Sequence, residues 1–90
     1  MIVLVVNAGS SSLKYQLFDT NKNYEVLAKG LCDCIGLSEG GKIKHKVGGK
    51  EYETVVFIPD HAFAVRLVVD ALTNSEYGVI SSMDEIEAVG

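Results

Sequence analysis

Ninety residues bound the chain to one domain at most, and 48% hydrophobic residues with three Phe and four Tyr allow a real core, which argues against a disordered chain. A net charge of −4 with scattered lysines and carboxylates leaves no basic footprint for nucleic acid and no charged block for a tail or a membrane patch. No apolar run approaches the length that spans a bilayer, and residues 1–6 are too short and lack the basic start of a signal peptide, so no membrane partner and a cytoplasmic location are expected.

Residues 1–6 are a continuous apolar run, the pattern of a strand buried on both faces. Residues 13–18 alternate Leu13, Tyr15 and Leu17 against Lys14 and Gln16, which predicts a second strand. A turn over residues 19–23 follows, because Asp and Asn side chains bond nearby backbone and tolerate left-handed dihedrals. A third strand is expected over 24–32, and glycines then interrupt the pattern over 36–41. Residues 43–47 and 51–58 flank Gly48-Gly49, the two-residue loop of a tight hairpin. This hairpin reads as an insertion at the edge of the main sheet, with one solvated face.

Pro59-Asp60 ends that strand and opens a helix over 61–73, with Asp60 as the N-cap. Arg66, Asp70 and Thr73 form a narrow polar stripe, and the apolar residues around them predict burial on a sheet or between layers. Arg66 and Asp70, four apart, suit a surface ion pair, and Arg66 reads as a solvated residue rather than a catalytic one. Tyr77-Gly78 marks a loop. Ser82 and Glu85 have capping-box spacing and predict one helical turn, and residues 86–89 read as a fresh buried strand. Cys32 and Cys34 would share one face of a strand. No second pair exists and His45 and His61 lack zinc spacing, so two free, packed thiols are expected.

The chemistry concentrates in Asn7-Ala8-Gly9-Ser10-Ser11-Ser12-Leu13-Lys14. Residues 7–12 are expected to form a loop joining two antiparallel strands, with Lys14 at the start of the second. Phosphate oxygens are best held by backbone N–H groups, hydroxyls and a cation. Gly9 lets backbone approach a ligand, Ser10, Ser11 and Ser12 offer donors without bulk, and Lys14 supplies charge. The carboxamide oxygen of Asn7 suits a hard cation such as Mg²⁺, directly or through water. The glycine spacing fits neither a Walker A loop nor a GxGxxG fingerprint. On the residues alone, a phosphate site and a plain Ser/Gly-rich hairpin turn both remain open.

The run from Asn7 through Leu17 resembles the N-terminal signature of the acetokinase family, which includes acetate, propionate and butyrate kinases. The likeness continues in Val26-Leu27-Ala28-Lys29-Gly30-Leu31, Ile43-Lys44-His45-Lys46-Val47 and Ser82-Met83-Asp84-Glu85-Ile86, so it covers nearly the whole chain. It implies an α/β fold: the N-terminal part of an actin-like (acetate and sugar kinase, ribonuclease-H-like) domain, with three antiparallel strands, an inserted hairpin, a helix and a strand. It also implies transfer of the γ-phosphoryl group of ATP to acetate, giving ADP and acetyl phosphate, with Mg²⁺ as cofactor. Asn7 would then help hold the metal, Lys14 would contact the ATP phosphates, and Gly9, Ser10, Ser11 and Ser12 would line the phosphate site.

Family members are several times longer, so residues 1–90 read as the N-terminal portion of an acetokinase domain. In the family a His-Arg pair follows the position of Gly90, and the remaining catalytic and nucleotide-binding residues lie further on. The resemblance implies a homodimer at full length and no activity for these residues by themselves. A propionate kinase fragment is the nearest enzymatic alternative. A non-catalytic nucleotide-binding module and a purely structural β-rich domain are the readings from other classes.

Overall fold

Alternation in the second strand decides the layering. In the computed structural model, β1 (Ile2–Ala8) and β2 (Leu13–Asp19) pair antiparallel, and β2 sinks Leu13, Tyr15 and Leu17 into the core while Lys14 and Gln16 stay exposed. The structure describes residues 1–76 and 78–90; Tyr77, where a loop is expected, lies outside the described residues. β3 (Glu25–Asp33), β4 (Lys42–Val47) and β5 (Lys50–Val55) continue the sheet antiparallel, and β6 (Ala88–Val89) joins β1 in parallel. The order is β5-β4-β3-β2-β1-β6. Helix α1 (His61–Leu72) covers one face with Ala64, Val68, Ala71 and Leu72, and Ile35, Ile58 and Ile80 close the core from connecting segments.

Local signals formed as their chemistry requires. Asp19 caps a single 3₁₀ turn at Thr20–Lys22, and Asn23 takes left-handed dihedrals after it. Gly48 and Gly49 both have positive φ, 56° and 84°, as a tight hairpin needs. The Asp60 carboxylate accepts from the Phe63 N–H at 2.8 Å, and Thr73 serves as the C-cap. Ser82 and Glu85 form the expected capping box, around the 3₁₀ turn Met83–Glu85. Backbone N–H groups of Ser81 and Ser82 hold the Glu85 carboxyl below its usual titration range.

Elsewhere the structure corrects the pattern. β1 runs through Asn7 and Ala8, which oppose Lys14 and Leu13, so the loop is residues 9–12 and Asn7 belongs to the strand. β1 is not buried on both faces: Leu4 is buried, but Val3 and Val5 point away from α1 and are only half-buried. β5 stops at Val55 because Ile58 leaves the sheet to fill the core, its carbonyl accepting from the Gly36 N–H. The apolar arc of α1 is covered on one side only, and Val65 stays 47% exposed. Among the described residues Arg66 and Asp70 form no ion pair. The last strand is two exposed residues rather than a buried run of four, held by main-chain bonds from Glu87 and Gly90 to Ile2 and Leu4. Cys34 lies past the end of β3 with φ 56°, so it does not share a strand face with Cys32.

Besides the β3–β4 ladder, a side-chain contact ties the inserted hairpin to the main sheet. Tyr15, Gly30 and His45 are directly aligned on β2, β3 and β4. The Tyr15 ring leans across Gly30, stacks on the His45 imidazole with centroids 5.9 Å apart, and forms a 2.6 Å hydrogen bond between its hydroxyl and Nδ1. Both side chains are almost fully buried. A Cβ at position 30 would collide with the Tyr15 phenol and the Lys44 carbonyl, so glycine is required for space rather than for its dihedrals.

Gly30→Ala is therefore expected to cost about 3 kcal/mol, the upper end for overpacking a core. The change should lower the urea midpoint at unchanged slope, and a midpoint equal to that of the parent chain would show that the ring steps aside freely. Burial pushes the Cys32 thiol up to about 11. At pH 8 only about one Cys32 in 1,000 would be thiolate, so a thiol titration of the native protein should find Cys32 slow and half-buried Cys34 faster, with Cys32 accelerating as pH rises toward 11. Two equally fast thiols at pH 8 would contradict this.

Candidate functional site

The sheet face away from α1 presents two rows of polar side chains. Asn7, Lys14, Leu31, Lys44 and Glu53 align in one row across β1 to β5, and Val5, Gln16, Lys29, Lys46 and Glu51 in the next. An open cavity of about 490 Å³ lies over these rows, lined by Asn7, Lys14, Gln16, Lys29, Lys44 and Glu51 among others. Directly opposed residues of antiparallel strands hold their Cβ atoms about 5 Å apart. The carboxamide of Asn7 and the ammonium of Lys14 thus start from neighbouring points and reach into the same space. Lys44 lies 3.9 Å from Glu51 and 3.7 Å from Glu53, so part of the positive charge on β4 is balanced locally.

Gly9, Ser10, Ser11 and Ser12 do not line that cavity. They cap the end of the β1–β2 pair, next to Asn7 and Lys14 but beyond the last rungs of the ladder. The loop is closed by a 2.8 Å bond from the Gly9 N–H to the Ser12 carbonyl. Gly9 does not have positive φ; its lack of a side chain matters because a Cβ there would meet the Ser12 hydroxyl at 2.8 Å. Two further elements hold the loop. The Ile35 N–H donates to the Ser11 carbonyl at 2.8 Å. The first residue of α1, His61, places Nε2 at 2.7 Å from the Gly9 carbonyl oxygen and 3.3 Å from that of Ser12.

The sequence-predicted residues therefore fall in two adjoining groups: Asn7 and Lys14 on the open sheet face, and residues 9–12 at its end. His61 was not legible as part of the site. It lies 52 positions from Gly9, and the one hint was a histidine at the start of a helix whose N-cap, Asp60, was already recognised. Among the described residues no group of three or more His, Cys, Asp or Glu side chains is arranged to hold a metal ion, and Cys32 and Cys34 form no disulfide. Asn7 can offer a single neutral oxygen to a hard cation, and full coordination would need oxygens from a ligand and water.

The model of the acetokinase family matches residues 2–90. The acetate kinase of Clostridium acetobutylicum is 55% identical over 87 residues, covering 97% of this chain and 21% of that protein. The crystal structure of Porphyromonas gingivalis acetate kinase superposes with a TM-score of 0.92 at 39% identity, over 99% of this chain and 22% of the other. A propionate kinase from Francisella tularensis superposes at 0.80 with 22% identity, over 99% of this chain and 21% of the other, a likeness of fold alone. The chain thus spans about a fifth of the length of the relatives it matches. Its sheet and helix are the α/β framework of the N-terminal part of an actin-like domain, with the three antiparallel strands, hairpin, helix and strand in the order the sequence predicts.

Proposed function

The chain belongs to the acetokinase family, and on that premise we propose that it forms the phosphate-facing wall of a kinase that moves the γ-phosphoryl group of ATP to acetate, giving acetyl phosphate and ADP. The observation that supports this reading most strongly is the pairing of Asn7 with Lys14 on one sheet face beside the 9–12 loop. An oxygen donor and a cation side by side, next to a turn carrying three hydroxyls, suit a nucleotide phosphate tail. Acetate is preferred over propionate as acceptor because the relatives sharing about half of these residues are acetate kinases, whereas the likeness to a propionate kinase is one of fold.

Phosphoryl transfer needs little covalent chemistry from protein; it needs donor and acceptor aligned and the charge on the transferred group stabilised. Lys14 would hold negative oxygens of the ATP phosphates from the sheet face. Ser10, Ser11 and Ser12 would line the path of the phosphoryl group, and Gly9 would leave room for it beside the Ser12 hydroxyl. Asn7 fits Mg²⁺ as one ligand among phosphate oxygens and waters. When bound, the ion supplies neutralisation of phosphate charge. A homodimeric, cytoplasmic protein at full length belongs to the same proposal. Among the described residues no helix is long and apolar enough to cross a membrane.

In a chain of full family length carrying this segment, Lys14→Ala should lower kcat/KM by about 10²–10³-fold, the usual loss when one preorganised charge-stabilising donor is removed. Steady-state assays with Mg-ATP and acetate measure it, and a near-parental value would sink the role of Lys14. The 90 residues by themselves should form no acetyl phosphate, since one wall cannot align donor and acceptor. Turnover by the isolated chain would overturn that expectation, while nucleotide binding without turnover by the full-length protein would favour a non-catalytic module.

A further inference from the structure

We infer that His61 is a positioning residue that sets the polarity of the 9–12 loop, turning the Gly9 and Ser12 carbonyls inward and the Ser10 N–H outward. The inference rests on the reading of this loop as a phosphate wall. His61 Nε2 lies within hydrogen-bond distance of the Gly9 and Ser12 carbonyl oxygens, at 2.7 and 3.3 Å. Both are acceptors only, so Nε2 must carry a proton. That holds for the neutral ring with its proton on Nε2 and equally for the imidazolium.

The consequence for an anion follows from peptide geometry. Among the described residues no cis peptide bond is present. Within a trans peptide the C=O of one residue and the N–H of the next point in opposite directions. With the Gly9 carbonyl fastened to the imidazole, the Ser10 N–H must point away from α1, toward the exposed side of the loop. The Ser11 carbonyl is taken by the Ile35 N–H and the Ser12 carbonyl by the Gly9 N–H as well as by His61. Three loop carbonyls are thus engaged on the protein side. A flipped Gly9–Ser10 peptide would put a partial negative charge where an anion needs a donor. Glycine offers little resistance to that flip by itself, so a contact from outside the loop has to prevent it. His61 is well placed to do so: its backbone is held in the first turn of α1, which Asp60 caps and Ala64 anchors in the core.

The test uses the full-length protein and three substitutions. His61→Leu keeps bulk and removes the donor. His61→Gln can place a side-chain N–H near the Nε2 position, and His61→Asn stops short of it. Leu and Asn should each lower kcat/KM for Mg-ATP on the order of tenfold to a hundredfold, as expected when a reacting group is misplaced by about an ångström. Gln should recover most of the loss. The pH profile of the Gln variant should keep both limbs, because the bond needs Nε2–H in either charge state of the histidine. Asn serves if Leu melts below the assay temperature. Near-parental activity in Leu or Asn overturns the inference, as does failure of Gln to rescue or loss of a pH limb, which would mean acid–base chemistry instead. Lys14→Ala is assayed alongside: if it too is fully active, the phosphate-wall reading itself falls, and if it is inactive while His61→Leu is not, only the positioning role falls.

Discussion

Side chains on a strand alternate between faces, so β1 and β2 cannot slip by one residue without exchanging their core for their surface. The observed register sets Leu4 opposite Leu17 inside and Asn7 opposite Lys14 outside. A slip would bring Lys14 into a space now filled by the nearly inaccessible Leu13 and Tyr15, at a cost of several kcal/mol for an unpaired buried ammonium. The same register fixes where the ladder ends, and hence that the loop has four residues, 9–12. The open polar face and the core that keeps the chain folded are therefore one decision. Everything further out on the sheet is built on it, through Tyr15 leaning over Gly30 to reach the hairpin at His45.

The second layer then does more than cover the sheet. Helix α1 buries four residues against the core, and its first turn carries the imidazole that meets the loop carbonyls. The segment after β3 contributes the Ile35 N–H to the same loop while Ile35 itself is buried. Packing energy distributed over apolar side chains thus becomes positional accuracy at a few polar atoms. Each such hydrogen bond adds only about 1 kcal/mol to stability. The value of these bonds lies in fixing which way a peptide faces, a choice to which stability alone is nearly indifferent.

What was legible in the sequence is what depends on near neighbours. Alternation in Leu13, Tyr15 and Leu17 marked β2, Gly48-Gly49 marked the hairpin turn, and Asp60 and Ser82 marked their caps. The position of Asn7 was missed because a polar residue after an apolar run reads as a loop, whereas main-chain pairing with Lys14 is blind to side-chain polarity. β5 was drawn too long because Ile58 is as apolar as a strand residue; only the need to fill the core under α1 takes it out of the sheet. The strand before Gly90 was expected to be buried because its residues are apolar, but burial needs a covering element, and Ala88 and Val89 are exposed. His61 and the Tyr15–His45 pair join residues 52 and 30 positions apart, distances at which no local pattern carries information.

Long-range assembly also gathers lysines on the open face of a chain that is acidic overall. Lys14, Lys29, Lys44 and Lys46 share that face. β5 brings Glu51 opposite Lys46 and Glu53 opposite Lys44, with both carboxylates within 4 Å of the Lys44 ammonium. These pairs are well exposed and contribute little to stability. Their larger effect is on the shape of the field: they cancel positive charge on the hairpin side, over β4 and β5. Lys14 is flanked across the sheet by Asn7 and Leu31, neither of which carries charge. Lys14 therefore stands at the β1–β2 end with no carboxylate directly opposite it, beside the 9–12 loop.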